Sequence, residues 1–167
     1  MQKTYPEKIV DYLDKKSLKR WNLEWTEFPG VQAAIVIPAI CEFENIKRVL
    51  LSLAQNNKSC LQKSIIIFVI NNSVSSEPEV KDDNTKSIVF LRELINRKSS
   101  DDIAGIIFNS GMNIGMIDAA TEGNEFDDDE AGVGLARKVG MDTALKAFDY
   151  SSSEKKIIIS LVLLPLI

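Results

Sequence analysis

Two stretches of this 167-residue chain are apolar almost without interruption: Val31-Gln32-Ala33-Ala34-Ile35-Val36-Ile37 and Ile65-Ile66-Ile67-Phe68-Val69-Ile70. A strand with one wet face alternates apolar and polar side chains, whereas one that is apolar throughout must be covered on both faces. Such strands belong to parallel sheets connected by helices. This requirement selects an α/β architecture before any motif is read. Pro38 is expected to stop the first strand, and Asn71-Asn72-Ser73 closes the second.

The intervening segments follow the same logic. After Pro38, helical spacing puts Phe43, Ile46, Val49, Leu50, Leu53 and Ala54 on one face. Residues 73–84 are polar and contain Pro78, which predicts a surface loop, and helical periodicity returns over 85–97 with Ile88, Leu91 and Ile95 in phase. A third strand is expected in 112–117, with 106–108 as a candidate beside it. Residues 118–130 hold seven acidic side chains and no basic one, the mark of an exposed connection. Residues 131–148 read as a helix presenting Val133, Ala136, Gly140, Ala144 and Leu145 to a core. A last strand begins near Lys156 and is expected to be buried along its apolar run.

Ahead of this alternation, residues 6–20 read as a helix with Ile9, Tyr12, Leu13 and Lys16 on one face and Pro6 in its first turn. Trp21, Leu23 and Trp25 then alternate with polar residues in an extended segment whose aromatics are expected to pack against that helix. The chain therefore divides into an N-terminal helix and extended segment, 1–30, and an α/β domain, 31–167. Strand and helix alternate through that domain, so the expected fold is an open, mostly parallel, Rossmann-like sheet with flanking helices and right-handed crossovers. In such sheets a ligand lies beyond the carboxyl ends of the strands, near a switch in strand order. Residues 38–42 and 71–73 fall there.

Composition narrows the chemistry. There is no His, so imidazole serves neither as base nor as metal ligand. A net charge of −4 argues against binding nucleic acid through a broad basic surface. Cys41 and Cys60 have no metal-finger or CxxC spacing, Cys41 reads as a buried structural cysteine, and a reducing, cytoplasmic setting is the simplest expectation. The first residues lack the apolar stretch of a signal peptide, and the apolar run 157–167 falls short of the roughly 20 residues that span a bilayer. Gly132-Val133-Gly134 lacks both the third glycine of a dinucleotide fingerprint and the Gly-Lys-Ser/Thr of a P-loop. Asp127-Asp128-Asp129 precedes a helix and reads as favouring its positive end rather than as a metal cluster. A receiver-like signalling domain is disfavoured, since no acidic cluster stands at the strand exits.

Three segments carry a resemblance. Ala34-Ile35-Val36-Ile37-Pro38-Ala39 with Glu42 and the helix from Glu44-Asn45-Ile46 resembles the opening of family 2 glycosyltransferases: a strand, Pro-Ala-Tyr-Asn-Glu, then a helix with Glu-Asn-Ile. Ile70-Asn71-Asn72-Ser73 stands where that family has Asp-Asp-Gly-Ser, and Gly134-Leu135-Ala136-Arg137-Lys138-Val139-Gly140 is similar to its Ala-Arg-Asn-x-Gly helix. The resemblance covers residues 31–161. It implies a GT-A nucleotide-sugar-binding fold, with nucleotide-binding roles for Pro38, Ala39, Glu42, Asn71, Asn72 and Arg137. An Asn can both accept from an imide N–H and donate to a carbonyl, as a uracil base would require. Arg137 would supply a permanent cation for phosphate.

The sequence also departs from the family. Ile40-Cys41 replaces Tyr-Asn, and two asparagines replace two carboxylates. After the fourth parallel strand the family carries an Asp-x-Asp that holds Mn²⁺ or Mg²⁺ against a sugar diphosphate; here the chain reads Val162-Leu163-Leu164-Pro165-Leu166-Ile167. The expectation is a GT-A half-domain truncated after that strand, by frameshift or otherwise. It would have no catalytic or metal-binding residues of its own and would be inactive alone in transferring sugar from a UDP- or GDP-type donor. The uncovered apolar edge is expected to form a homodimer through the last strand. The alternative is a non-catalytic assembly module on the same scaffold.

Overall fold

The structure, a computed structural model, describes residues 4–163. In chain order its elements are α1 (Glu7–Lys16), β1 (Leu23–Trp25), β2 (Ala33–Ala39), α2 (Phe43–Ala54), α3 (Lys58–Leu61), β3 (Ser64–Asn71), α4 (Pro78–Ile95), α5 (Ala104–Ser110), β4 (Asn113–Ala119), α6 (Val133–Ala147) and β5 (Ile157–Ser160). The strands form one open sheet in the order β1-β4-β3-β2-β5. All neighbouring pairs are parallel except β1 with β4. The fold is α/β, as the two apolar runs require.

Strand β3 shows why those runs are unbroken. Ile66, Phe68 and Ile70 enter a core with α2, α4 and α5, while Ile65, Ile67 and Val69 enter a second core with α6. Burying an Ile or Phe is worth about 1.5–3 kcal/mol, so each face contributes several such increments. Gly140 brings α6 close to the sheet. A Cβ on it would sit 2.3 Å from Val36 Cγ1 and 2.9 Å from Val69 Cγ2, both on stiff β-branched side chains.

The N-terminal segment supplies the one antiparallel strand, β1, which Arg92 of α4 ties down through a bidentate pair to Glu24 at 2.6 and 2.7 Å. Its first helix is shorter than expected and buries no residue; it lies on α6, where the Tyr12 hydroxyl donates to Asp142 at 2.9 Å and Lys138 Nζ to Lys16 O at 2.8 Å. Trp21 packs not on that helix but edge-on to Phe126, with ring centroids 5.0 Å apart, and donates from Nε1 to Asn124 O.

Several expectations are corrected. Pro38 lies inside β2 and does not end it. Helix α4 begins at Pro78, so residues 78–84 are helical and not loop; proline tolerates the first helical turn, where no N–H is needed. The segment 104–110 is helix α5 and not a strand, ended by Gly111 in the left-handed conformation at φ 78°. The acidic connection is exposed only in part, because Glu125 and Phe126 are buried within it. Val133 faces solvent, since it precedes the turns of α6 that meet the sheet. The last strand is an edge and not a buried strand: only β2 flanks it, and Ile157 and Ile159 remain 52% and 45% exposed. Residues 164–167 of the apolar tail, expected to take part in a dimer contact, lie outside the described residues. No helix among the described residues is long and apolar enough to cross a membrane.

Candidate functional site

From β2 the chain crosses through α2 to β3 on one side, and from β4 it crosses through α6 to β5 on the other. The switch in strand order therefore falls between β2 and β5, and in open α/β sheets ligands lie beyond the carboxyl ends at such a point. Proline at the end of β2 fits this point. Val36 O accepts from Leu161 N at 2.9 Å, so Val36 turns its backbone polar groups toward β5, and Pro38, two residues on, has the same orientation. The N–H that Pro38 lacks would point the same way, beyond the last paired residue, Val36 with Ser160.

The exits of β2 and β3 are joined by a buried asparagine cluster. Asn71 Nδ2 donates to Ala39 O at 3.1 Å and to Val69 O at 3.0 Å. From α4, Asn84 Nδ2 donates to Asn71 O at 3.0 Å and to Asn72 Oδ1 at 2.8 Å, while its Oδ1 accepts from Cys41 N at 2.9 Å. Asp83, beside it, accepts from Phe43 N at 3.0 Å and so caps α2. Asn84 is only 1% exposed, with every partner supplied by the two strand exits. Its cluster also holds Cys41 at φ 56°, a conformation that costs a non-glycine residue about 1 kcal/mol.

Of the six residues singled out from sequence, Pro38, Ala39, Asn71 and Asn72 are brought together at this rim. The asparagine amides are largely spent on the protein itself: Asn72 Nδ2 donates to Ser73 O at 3.1 Å, and its Oδ1 is taken by Asn84. Asn71 Oδ1 keeps no protein donor among the described residues and is the acceptor left over. Glu42 stands at the start of α2 and accepts through Oε2 from Asn45 Nδ2, so it serves its own helix turn and makes no contact with the asparagines.

Arg137 comes from the opposite layer. Helix α6 runs antiparallel to the strands, and Gly140 rests on Val36 and Val69. One turn earlier, Arg137 stands about 4.5 Å nearer the carboxyl ends, about level with Pro38 and Asn71. Its Nε is buried without a hydrogen-bond partner, and so is the Ser160 hydroxyl. Ile158 packs into the α6-side core, so Ser160, two residues on, faces α6 as well. Two unpaired buried polar atoms thus lie on one face beside the switch point, although most buried polar atoms have a partner.

A strap closes the β3–β4 side of the rim. Phe126 N donates to Asn72 O at 3.0 Å, Val74 N to Phe126 O at 3.2 Å, and Asp128 accepts from Ser75 N at 3.0 Å. The bond from Ser75 N, with others from Ser75 and Ser73, holds the Asp128 carboxyl below the usual carboxylate range. Asp127, Asp128 and Asp129 thus precede α6, with Asp128 fastening the loop.

Cys41 corrects the reading of a buried cysteine: it is exposed, and partial burial of its sulfur with the neighbouring Asp83 and Glu42 carboxylates pushes the thiol up, away from thiolate. The residues that follow β5 do not fit a divalent cation, because Leu161, Val162 and Leu163 offer no carboxylate. No group of three His, Cys, Asp or Glu able to hold a metal occurs among the described residues.

Sequence reasoning missed Asp83, Asn84 and Ser160. The first two are polar residues inside a helix, invisible to apolar periodicity; the signal available was Pro78 at a helix start followed by residues that cap other elements. The chain matches no protein-family model, no curated protein and no solved structure.

Proposed function

We propose that the chain is a nucleotide- or nucleotide-sugar-binding domain of the GT-A type, resembling the first half of family 2 glycosyltransferases. The observation that carries this reading is the pair of unpaired buried polar atoms, Arg137 Nε and Ser160 Oγ, on the α6 side of the switch point. Both atoms are buried, so a phosphate oxygen would accept from them once its entry uncovers them, and a guanidinium would meet it with charge and directional donors. Asn71 Oδ1 is the acceptor for an imide N–H of the base. Pro38, Ala39 and Asn72 would shape the rim, and Glu42, just before α2, would reach it by leaving Asn45. The strand order β4-β3-β2-β5 supports the reading, since ligands of open α/β sheets lie at such a switch point.

Transfer chemistry is not proposed for this polypeptide. Residues 161–167 carry no carboxylate at the place where the resembled family's Asp-x-Asp would hold the cation that neutralises a leaving diphosphate. Mixing the protein with UDP- and GDP-sugars, Mn²⁺ and acceptors is expected to give no turnover. Thermal shift with UDP, GDP and their sugars tests the binding: one nucleotide raises the melting temperature, and Arg137→Met removes the rise. No rise with any of them overturns the reading.

A second reading has its own observation. Ile157, Ile159 and Val162 leave an exposed apolar edge beside β2, suited to a homodimer or an assembly contact. Light scattering that shows only monomer at high concentration removes it.

A further inference from the structure

A cleft of about 760 Å³ lies at the opposite end of the sheet, where the chain enters β2 and leaves α6. Tyr5, Phe28, Phe148 and Tyr150 line it, and Glu27 and Asp149 are the charged side chains of the lining among the described residues. Tyr150 stands between two rings set nearly perpendicular to it, Tyr5 at 6.1 Å and 69° and Phe148 at 6.2 Å and 87°. Rings so arranged form a corner, not a stack, with Phe148, 1% exposed, backing Tyr150 from the core.

The hydroxyls of both tyrosines are already engaged. Tyr5 donates to Lys146 O at 3.2 Å and Tyr150 to Leu145 O at 3.0 Å. Burial pushes both phenols up, so they stay neutral, and what they offer a ligand is ring surface. The two carboxylates differ. Asp149 accepts from Gly30 N at 3.1 Å and from Ser151 N and Oγ at 2.9 and 2.6 Å, which ties the entrance of β2 to the end of α6. Those bonds, with Lys156 nearby, keep it ionised but occupied. Glu27 has no hydrogen bond or ion pair among the described residues.

Neutral aromatic walls beside a carboxylate with no partner among the described residues are complementary to an organic cation: the negative ring faces attract it, and the carboxylate fixes its sign. We propose that this cleft binds a small organic ammonium, held by the rings of Tyr5, Tyr150 and Phe28 with Glu27, at a site separate from the nucleotide rim. A saccharide fits less well, because it needs donors and acceptors that the tyrosine hydroxyls and Asp149 have already committed. The proposal does not depend on the nucleotide reading.

The test uses the whole chain and titrates choline and tetramethylammonium against 3,3-dimethylbutan-1-ol, the uncharged isostere of choline, following aromatic side-chain resonances. The expected result is saturable binding of the cations, with the neutral alcohol about tenfold weaker or more. Glu27→Gln weakens choline severalfold, and because Glu27 is exposed this variant folds. Tyr150→Leu removes most of the affinity, whereas Tyr150→Phe, which keeps the ring, retains it. Saturating UDP or GDP leaves the choline affinity unchanged. Equal binding of the neutral alcohol, indifference to Glu27→Gln, or binding of glucose in preference to choline overturns the proposal. So does the absence of any shift with the cations at about 50 mM, weaker than any specific site of this size would be.

Discussion

The two ends of the sheet are built on opposite principles. At the carboxyl end, buried amides bind two strand exits to each other, and two polar atoms, Arg137 Nε and Ser160 Oγ, are left without partners. At the amino end, the tyrosine hydroxyls and Asp149 are paired and the free surface is aromatic, with one carboxylate, Glu27, that has no partner among the described residues. A parallel sheet imposes this contrast. Its carboxyl ends receive helix N-termini and diverging connections, which leave polar groups facing a gap, whereas its amino ends are entered by chain that can carry large apolar side chains. The carboxyl end is thus suited to an anion and the amino end to a cation.

The largest expected effect separates the ends through Asn84. Asn84→Ala strands Cys41 N–H, Asn71 O and Asn72 Oδ1 in a buried setting, at a cost of about 3 kcal/mol by urea denaturation. Nucleotide-dependent stabilisation is expected to vanish with it, while choline shifts at the far cleft persist. Loss of both together would mean that the ends are not independent.

Next comes Gly140→Ala. Its methyl group would meet Val36 and Val69 well inside contact distance, so α6 must move off the sheet, costing about 1–3 kcal/mol by the same measurement. The shift carries Arg137 away from the rim, so nucleotide affinity falls by more than the Asn71 side of the site can account for. A neutral result would show that α6 already has slack.

The smallest effect lies on the flank, away from both ends, where Lys47 Nζ donates to Asp101 at 2.7 Å. That bond holds the Asp101 carboxyl below its ordinary value. The folded pKa is thus lower than the unfolded one, so the contribution is present above about pH 4 and is lost as the pH falls through the folded value. Asp101→Asn is expected to cost at most about 1 kcal/mol at neutral pH, the pair being partly exposed. The difference from wild type should shrink toward pH 3. Neither ligand is expected to notice.

How much of this was legible in the sequence depends on what each residue reports. The apolar runs 31–37 and 65–70 disclose β2 and β3 because two covered faces leave no choice of side chain. Asn71 marks the exit of β3, whereas Pro38 misplaces the end of β2, which runs through it to Ala39. Asn84 could not be read this way: its reason for being polar is the backbone of Cys41 and Asn71, distant in sequence. The isoleucines of α5 and β5 misled in opposite directions. Ile106 and Ile107 favour a strand by their branching, but Gly111 ends a helix there. Ile157 and Ile159 promise burial that an edge position does not provide. Arg137 was found by resemblance, yet what distinguishes it, a buried Nε with no partner, exists only in the folded chain.

The central claim is that the carboxyl-end rim is the nucleotide site. Amide chemical-shift mapping during titration with the nucleotide that raises the melting temperature tests it directly. The account predicts that perturbations gather at residues 38–42, 71–73 and 135–138 and at Ser160, and that they disappear in Arg137→Met. Perturbations centred on residues 27–30 and 148–151, or spread without a focus, would contradict it.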